Sequence, residues 1–258
     1  MYFDTHAHYD FGHFDADRQE LLSKTLPEAG VSHVINIGIN IPSAKKSIEY
    51  AKKYDHFYAA IGFHPMDCGE MEDGDIAILE GLAKEPKVIS IGEIGLDYYH
   101  KTAPPKDLQK KCFMQHLDLA MKLNLPVIIH CRDAHEDVFE ILAASGVGKK
   151  VGGVMHCYSG TPEMAVKYVE MGFHIGIGGV VTYKNAEALR ETVRIVPKNR
   201  LLIETDCPFL PPEPHRGTRN DSRNLYYITE KIGEILGITH EEAAMLTCEN
   251  AKRLFLEK

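Results

Sequence analysis

Histidines and carboxylates recur in this chain at short spacings: His6-Ala7-His8, His64-Pro65, Glu93, His130-Cys131-Arg132, His156-Cys157-Tyr158-Ser159 and Glu204-Thr205-Asp206. Neutral imidazole and carboxylate are the ligand set of Zn²⁺, Mn²⁺ and, less comfortably, Mg²⁺. Residues two apart on a strand point to one side, so His6 and His8 can grip one ion together, and Glu204 shares a direction with Asp206. A lone His-x-His pair, or a lone histidine at a strand end, is commonly polar surface or a satisfied structural residue. The conjunction points to chemistry, because random placement does not set His or acid at the ends of five separate strands. Four imidazoles (His6, His8, His130, His156) and two or more carboxylates exceed what one catalytic ion with an open position needs. The pattern therefore predicts two divalent ions, with Glu93 as the bridge.

Such residues act together only if the fold brings them together. Eight short β-branched or apolar runs alternate with segments of helical period: Tyr2–His6, His33–Gly38, Phe57–Phe63, Val88–Glu93, Val127–His130, Gly153–His156, Phe173–Gly178 and Leu201–Asp206. Between them, Phe113, Leu117, Ala120 and Met121 repeat with helical spacing, as do Ile228, Ile232, Ile235 and Leu236. Ser43 after Pro42, Thr161 before Pro162, and Thr239 three residues before Glu242 read as helix starts. Eight strand–helix repeats with strands apolar on both faces predict an α/β fold, a (β/α)8 TIM barrel spanning residues 1–258 as one domain. An open doubly wound sheet is the competing architecture, but no G-x-G-x-x-G follows the first strand. Pro208–Pro214 reads as a loop over the barrel mouth. The ligand-type residues all fall at strand C-terminal ends, where barrels build active sites.

Composition sets the outer bounds. The chain has 258 residues, with 29 Lys+Arg against 37 Asp+Glu, a net charge of −8, and 44% hydrophobic residues. That excludes the broad basic footprint of a protein that coats nucleic acid nonspecifically. No apolar run approaches the roughly 18 residues of a membrane span, and the start lacks a basic n-region followed by an apolar stretch. Six scattered cysteines without a C-x-x-C pair fit a reduced, cytoplasmic setting. Neither a membrane nor an obligate protein partner is implied. Asp4 and Glu204 read as acids that orient histidines. Cys131, Cys157 and Cys207 read as packing residues, and His13, His33, His56, His100, His116, His135, His174, His215 and His240, which show no shared placement, read for the most part as surface.

The ordered motifs Asp4-Thr5-His6-Ala7-His8, Gly62-Phe63-His64-Pro65, Gly92-Glu93-Ile94-Gly95-Leu96-Asp97-Tyr98, His130-Cys131-Arg132-Asp133-Ala134, His156-Cys157-Tyr158-Ser159-Gly160 and Glu204-Thr205-Asp206-Cys207-Pro208 resemble those of the TatD family of metal-dependent deoxyribonucleases, in the amidohydrolase superfamily. The resemblance runs from Tyr2 to Asn250-Ala251 and Leu254-Phe255. It implies His6, His8, Glu93 and Asp206 on one metal, and Glu93, His130 and His156 on the other. It also implies that His64, Arg132, Tyr158 and Ser159 face the substrate phosphate. After Arg216-Gly217-x-Arg219-Asn220 the family commonly continues Glu-Pro, whereas Asp221-Ser222 stands here. That loop is expected beside the mouth, where the change would bear on substrate preference.

The expected function is a divalent-metal-dependent 3′-5′ exodeoxyribonuclease acting on single-stranded or frayed DNA ends. Asp206 is expected to take the proton of the attacking water, with Glu204 as helper. Arg216, Arg219 and Arg223 are expected to supply a few loop contacts to the strand. Two other functions compete: an amidase, lactonase or deaminase built on the same metal cradle, and a metal-buffering or protein-binding module without catalysis. Glu93 in place of a carbamylatable lysine, and Arg132 and Ser159 beside the ligands, favour an anionic substrate.

Overall fold

The computed structural model describes residues 1–257. Eight strands, β1 (Tyr2–Ala7), β2 (Val31–Ile37), β3 (Phe57–Ile61), β4 (Val88–Asp97), β5 (Val127–Arg132), β6 (Gly153–Met155), β7 (Phe173–Ile177) and β8 (Leu201–Ile203), pair in parallel in sequence order. A parallel bridge between Ala7 and Cys207 closes the ring. His8 N–H donates to Cys207 O (2.9 Å) and Asp206 N–H to His6 O (2.9 Å) along that seam. The expected TIM barrel is therefore what forms, with each strand within a few residues of its expected place.

Two apolar layers explain the continuous hydrophobic character of the strands. Phe3, Ile35, Ile37, Ala60, Ile89, Ile128, Val154 and Leu202 form one buried cluster with Cys248, Ala251 and Phe255 of the last helix, His240–Phe255. This layer fills the barrel interior, and the last helix closes its lower end. Strand residues of opposite direction, such as Ile61, Ile129, Ile175 and Ile203, pack outward against helix residues including Phe113, Leu117, Val138, Tyr168, Val193 and Ile228. Between β1 and β2 the helical layer is supplied by a short, irregular segment at residues 18–28.

Helix ends follow local chemistry. Thr161 accepts from Met164 N–H, and Thr239 and Glu242 form the expected capping box. Ser43 is not the cap of the helix Ile41–Lys53. Asn40 holds that place, accepting from Ser43 N–H at 3.0 Å, and the Ser43 hydroxyl instead donates to Asp10 at 2.7 Å. Asn competes with Ser for this role on equal terms, and here Asn40 lies closer to the strand end.

Candidate metal centre

The upper ends of five strands bring six residues to one point. His6 lies in β1 and His8 just beyond it, Glu93 in β4, His130 in β5, His156 one residue past β6, and Asp206 three residues past β8. His6 Nε2 is 3.1 Å from His8 Nε2, 3.3 Å from Glu93 Oε2 and 3.8 Å from Asp206 Oδ1. His8 Nε2 lies 3.4 Å from Asp206 Oδ1 and 3.9 Å from Glu93 Oε2. The other oxygen of Glu93 faces a second group, with His130 Nδ1 at 2.8 Å, His156 Nε2 at 3.6 Å and His64 Nε2 at 3.7 Å. One carboxylate thus divides its two oxygens between two sets of imidazoles.

A bulge makes this possible. The pairing of β4 with β5 shifts register between Ile91 and Ile94, so Glu93 departs from strict alternation. Gly95 follows at φ 142, where a Cβ would drive into the His130 carbonyl. The result lengthens β4 to Asp97, beyond the expected end at Glu93.

Burial opposes the charge on every member, yet the charges sustain one another. Glu93 is buried, but His6, His64, His156 and the bond to His130 hold its carboxyl well below the ordinary range. Burial likewise pulls His156 down and is outweighed by Glu204, Glu93 and Asp206, which raise the imidazole to about 10. At His64 burial outweighs the pull of Glu93, and with His130 and His8 nearby the imidazole is pushed down to about 3. Imidazole nitrogens and carboxylate oxygens that converge within 4.8 Å, in the sets His6–His8–Glu93, His6–His156–Asp206 and His64–Glu93–His130, have the composition and spacing to hold divalent cations. His6 and His8 nitrogens facing each other at 3.1 Å can share only one proton, whereas a cation between the lone pairs satisfies both. The residues present therefore fit the implied metals. The gathering differs in detail from expectation: His64 stands with Glu93 and His130, and His156 stands with His6 and Asp206.

Behind these residues lies a buried layer. Glu204 is fully buried, 2.9 Å from His156 Nδ1, and accepts from Cys157 N–H and from Thr5 Oγ1 at 3.4 Å. It orients His156 and does not reach the mouth, so the expected role as a helper in proton transfer falls away. Gly176 leaves the room Glu204 occupies, since a Cβ there would meet Oε2 at 2.7 Å. Asp4 touches no imidazole. It accepts from Thr205 Oγ1 (2.6 Å), Thr205 N–H (3.0 Å), Ser222 Oγ (2.6 Å) and His6 N–H (3.3 Å), and burial still raises it to about 6.

The substrate-facing expectations divide. His64, Arg132, Tyr158 and Ser159 all line the mouth, a cavity of about 550 Å³. The Tyr158 hydroxyl donates to Thr161 O at 2.6 Å, so this side chain builds the wall. Arg132 is exposed and lies over the Tyr99 ring, 4.0 Å from its centroid, with no ion pair among the described residues. Arg219 is not brought to the mouth: its guanidinium binds both oxygens of Asp17 (2.7 and 2.6 Å) and covers Phe14. Arg223 is likewise paired with Asp221. Ser222 faces inward too, where its backbone N–H donates to the Tyr9 hydroxyl at 2.9 Å and its own hydroxyl meets Asp4. The Asp221-Ser222 departure belongs to the buried support of β1 and β8 and not to the substrate surface. Cys131 and Cys157, read from alternation as packing residues, line the mouth.

Four contributors were not found from the sequence. Asp97 lies 3.0 Å from His130 Nε2, and its place two turns of alternation past Glu93 in an acidic motif was the available signal. His116, read as surface, is buried, with Nδ1 2.8 Å from Cys112 O and Nε2 accepting from Phe63 N–H at 3.2 Å. It braces the backbone that presents His64, and its position on the apolar stripe with Phe113 and Leu117 marked it as inward. Phe11 and Phe209, which also line the mouth, carry no motif of their own.

The chain is similar to known proteins along nearly its whole length. The family model described as TatD related DNase matches residues 3–256. A Bacillus subtilis protein, uncharacterized metal-dependent hydrolase YabD, is 46% identical over 255 residues, covering 99% of each chain. The 3′-5′ ssDNA/RNA exonuclease TatD of Cronobacter sakazakii is 34% identical over 260 residues, covering 99% of this chain and 98% of that one. The crystal structure of YjjV, a TatD homolog from Escherichia coli K12, superposes with a TM-score of 0.92 at 30% identity, covering 98% of this chain and 97% of that one.

Proposed function

Since the chain belongs to the TatD related DNase family of metal-dependent hydrolases, we propose that it hydrolyses phosphodiesters at the free end of single-stranded or frayed DNA, in the 3′-to-5′ direction, with two divalent ions. The observation that carries the two-ion reading is Glu93, with Oε2 toward His6 and His8 and Oε1 toward His130, His156 and His64. His6, His8, Glu93 and Asp206 would hold one ion, and Glu93, His130 and His156 the other. Zn²⁺, Mn²⁺ or Mg²⁺, when bound, lowers the pKa of a water and offsets charge building on phosphate oxygens.

The chain's own residues do the rest. Arg132, unpaired at the rim of the mouth, binds a phosphate oxygen. Asp206 is the proton acceptor, because its side chain is 17% exposed against 4% for Glu93 and 0% for Glu204. Glu204 and Asp97 keep the His156 and His130 rings in place. Arg132 at the mouth, and Glu93 in the bridging place where a carbamylatable lysine could stand, also favour a phosphodiester over the C–N and C–O bonds of amidase-type substrates. All six cysteines are free, which suits a cytoplasmic setting. No helix among the described residues is long and apolar enough to cross a membrane.

The preference for ends rests on charge and shape. A net charge of −8 gives no broad surface for gripping a duplex, so affinity must come from the concave mouth. Two exonuclease relatives, at 34% and 32% identity, are named for single-stranded DNA and RNA, which supports the same reading. An end-labelled single strand, a blunt duplex and a covalently closed circle, compared with Mn²⁺ present, test it. The single strand should be cut fastest and the circle should survive; rapid loss of the circle would show that no end is needed.

A further inference from the structure

The mouth has an aromatic wall that the metal chemistry does not use. Phe11 follows His8 by three residues, and its ring stacks on the His8 imidazole, centroids 4.9 Å apart at 25°. Phe209 follows Asp206 by three residues, anchored by its N–H to Asp206 O at 2.9 Å, and meets Phe11 edge-on at 5.9 Å. Both line the same cavity as the ligands. Phe209 is 43% exposed and Leu210 beside it 37% exposed, which leaves apolar surface facing water inside a pocket. Val180 and Leu189, also lining the cavity, extend that apolar character on the β7 side.

The strand order gives the wall a direction. Phe11 and Phe209 come from the loops after β1 and β8, which are neighbours across the seam. Arg132 comes from β5, four strands from β1 and three from β8, and so on the opposite side of the ring. A ligand spanning the mouth therefore meets a cation on one side, the gathered carboxylates and imidazoles in the middle, and aromatic carbon on the other. A nucleotide has that order of parts: an anionic phosphate, and at a sugar's length from it a flat apolar base.

We propose that Phe209 and Phe11 form a seat for the base of the strand's terminal nucleotide, so that the enzyme selects an unpaired, base-bearing end. The seat reads the presence of a base and not its identity, because every base offers a π-face to an aromatic ring. A paired base is stacked and hydrogen-bonded and cannot enter, which couples the seat to strand separation. A cavity of about 550 Å³ takes one nucleotide and no more than part of the next.

This inference rests on the nuclease reading, and its test separates the two. Two single-stranded oligonucleotides identical except at the 3′ end, one with an ordinary terminal nucleotide and one with an abasic tetrahydrofuran there, are cut at the terminal bond by the Mn²⁺-loaded enzyme. The ordinary end should have a KM about tenfold lower. In Phe209→Ala that ratio should collapse toward one, and in Phe209→Tyr it should return. Equal KM values in the wild type, or a ratio that persists in Phe209→Ala, would overturn the seat. If neither oligonucleotide is cut, the nuclease reading fails. Calorimetry on the Mn²⁺-loaded protein with deoxyadenosine 5′-monophosphate and deoxyribose 5-phosphate then decides the seat. Tighter binding of the base-bearing ligand, lost in Phe209→Ala, supports it, and equal affinities reject it.

Discussion

Asp97 Oδ2 lies 3.0 Å from His130 Nε2, on the far side of the imidazole from Glu93, whose Oε1 is 2.8 Å from Nδ1. Asp97 is itself fixed by the N–H groups of Tyr99 and His100, each at 3.0 Å, and by His100 Nδ1 at 2.9 Å. Burial opposes its charge, but His130 and His100 hold its carboxyl well below the usual range. A charged Asp97 keeps the proton on Nε2 and leaves the Nδ1 lone pair toward the centre. Asp97→Asn should therefore weaken metal binding by about 10- to 100-fold, read by chelator competition. Wild-type affinity in that variant would remove His130 from the ligand set.

Glu93 presents one oxygen to each imidazole group, whereas His156 meets Glu93 through Oε1. Metal analysis should find two ions per chain in the wild type, loss of both in Glu93→Gln, and loss of mainly one in His156→Ala. A single tightly held ion that survives His156→Ala would exclude the two-ion centre.

Arg132 rests on Tyr99 with no acidic partner among the described residues, so removing it leaves no buried charge unpaired. Arg132→Ala should keep metal content and thermal midpoint while kcat/KM for phosphodiesters falls about 10- to 100-fold, the worth of one charge-assisted contact. Equal losses on a neutral ester substrate would count against phosphate binding.

His116 yields a pH dependence remote from the metals. Burial lowers its pKa from 6.5 to about 4, and both ring nitrogens are engaged in the neutral form. The unfolded chain takes up a proton near pH 6.5 while the folded chain does not until about pH 4. Its contribution is thus complete above pH 6.5 and declines as pH falls toward 4, by about 3 kcal/mol in total. His116→Gln should flatten the acid limb of the stability curve by that amount, measured as urea midpoints in chelator. An unchanged acid limb would show that His116 does not titrate between the two states.

The barrel and the six-residue centre were legible because both depend on local signals: apolar runs of strand length, and ligand types at their ends. Partnerships across the chain were not. Arg219 looked available for a substrate, but Asp17, about 200 residues earlier, takes both of its forks. Ser222 looked like a surface change, yet it closes a bond to Asp4 that no sequence spacing announces. Glu204 and Asp206 share a direction by alternation, but beyond Ile203 the chain has left the strand and Asp206 adopts φ 54. One carboxylate therefore stays behind His156 while the other reaches the mouth. Asn40 and Ser43 are equally good caps by type, and only the exit of β2 decides between them.

The ring closes where its chemistry begins. His6 and His8 precede Asp206, Thr205 and Ser222, which complete or brace their surroundings, by some two hundred residues, so the two sides of the seam leave the ribosome far apart in time. A nascent chain that stops short of β8 has an unpaired β1 edge and an incomplete ligand shell. The centre is thus incomplete until β8 and the residues after it are made, and a truncated product ending before Thr205 lacks both Asp206 and the bridge that closes the ring. For the same reason, an ion held between His6 or His8 and Asp206 would act as a clasp on the finished ring, and added metal should then lengthen the folded protein's survival in proteolysis.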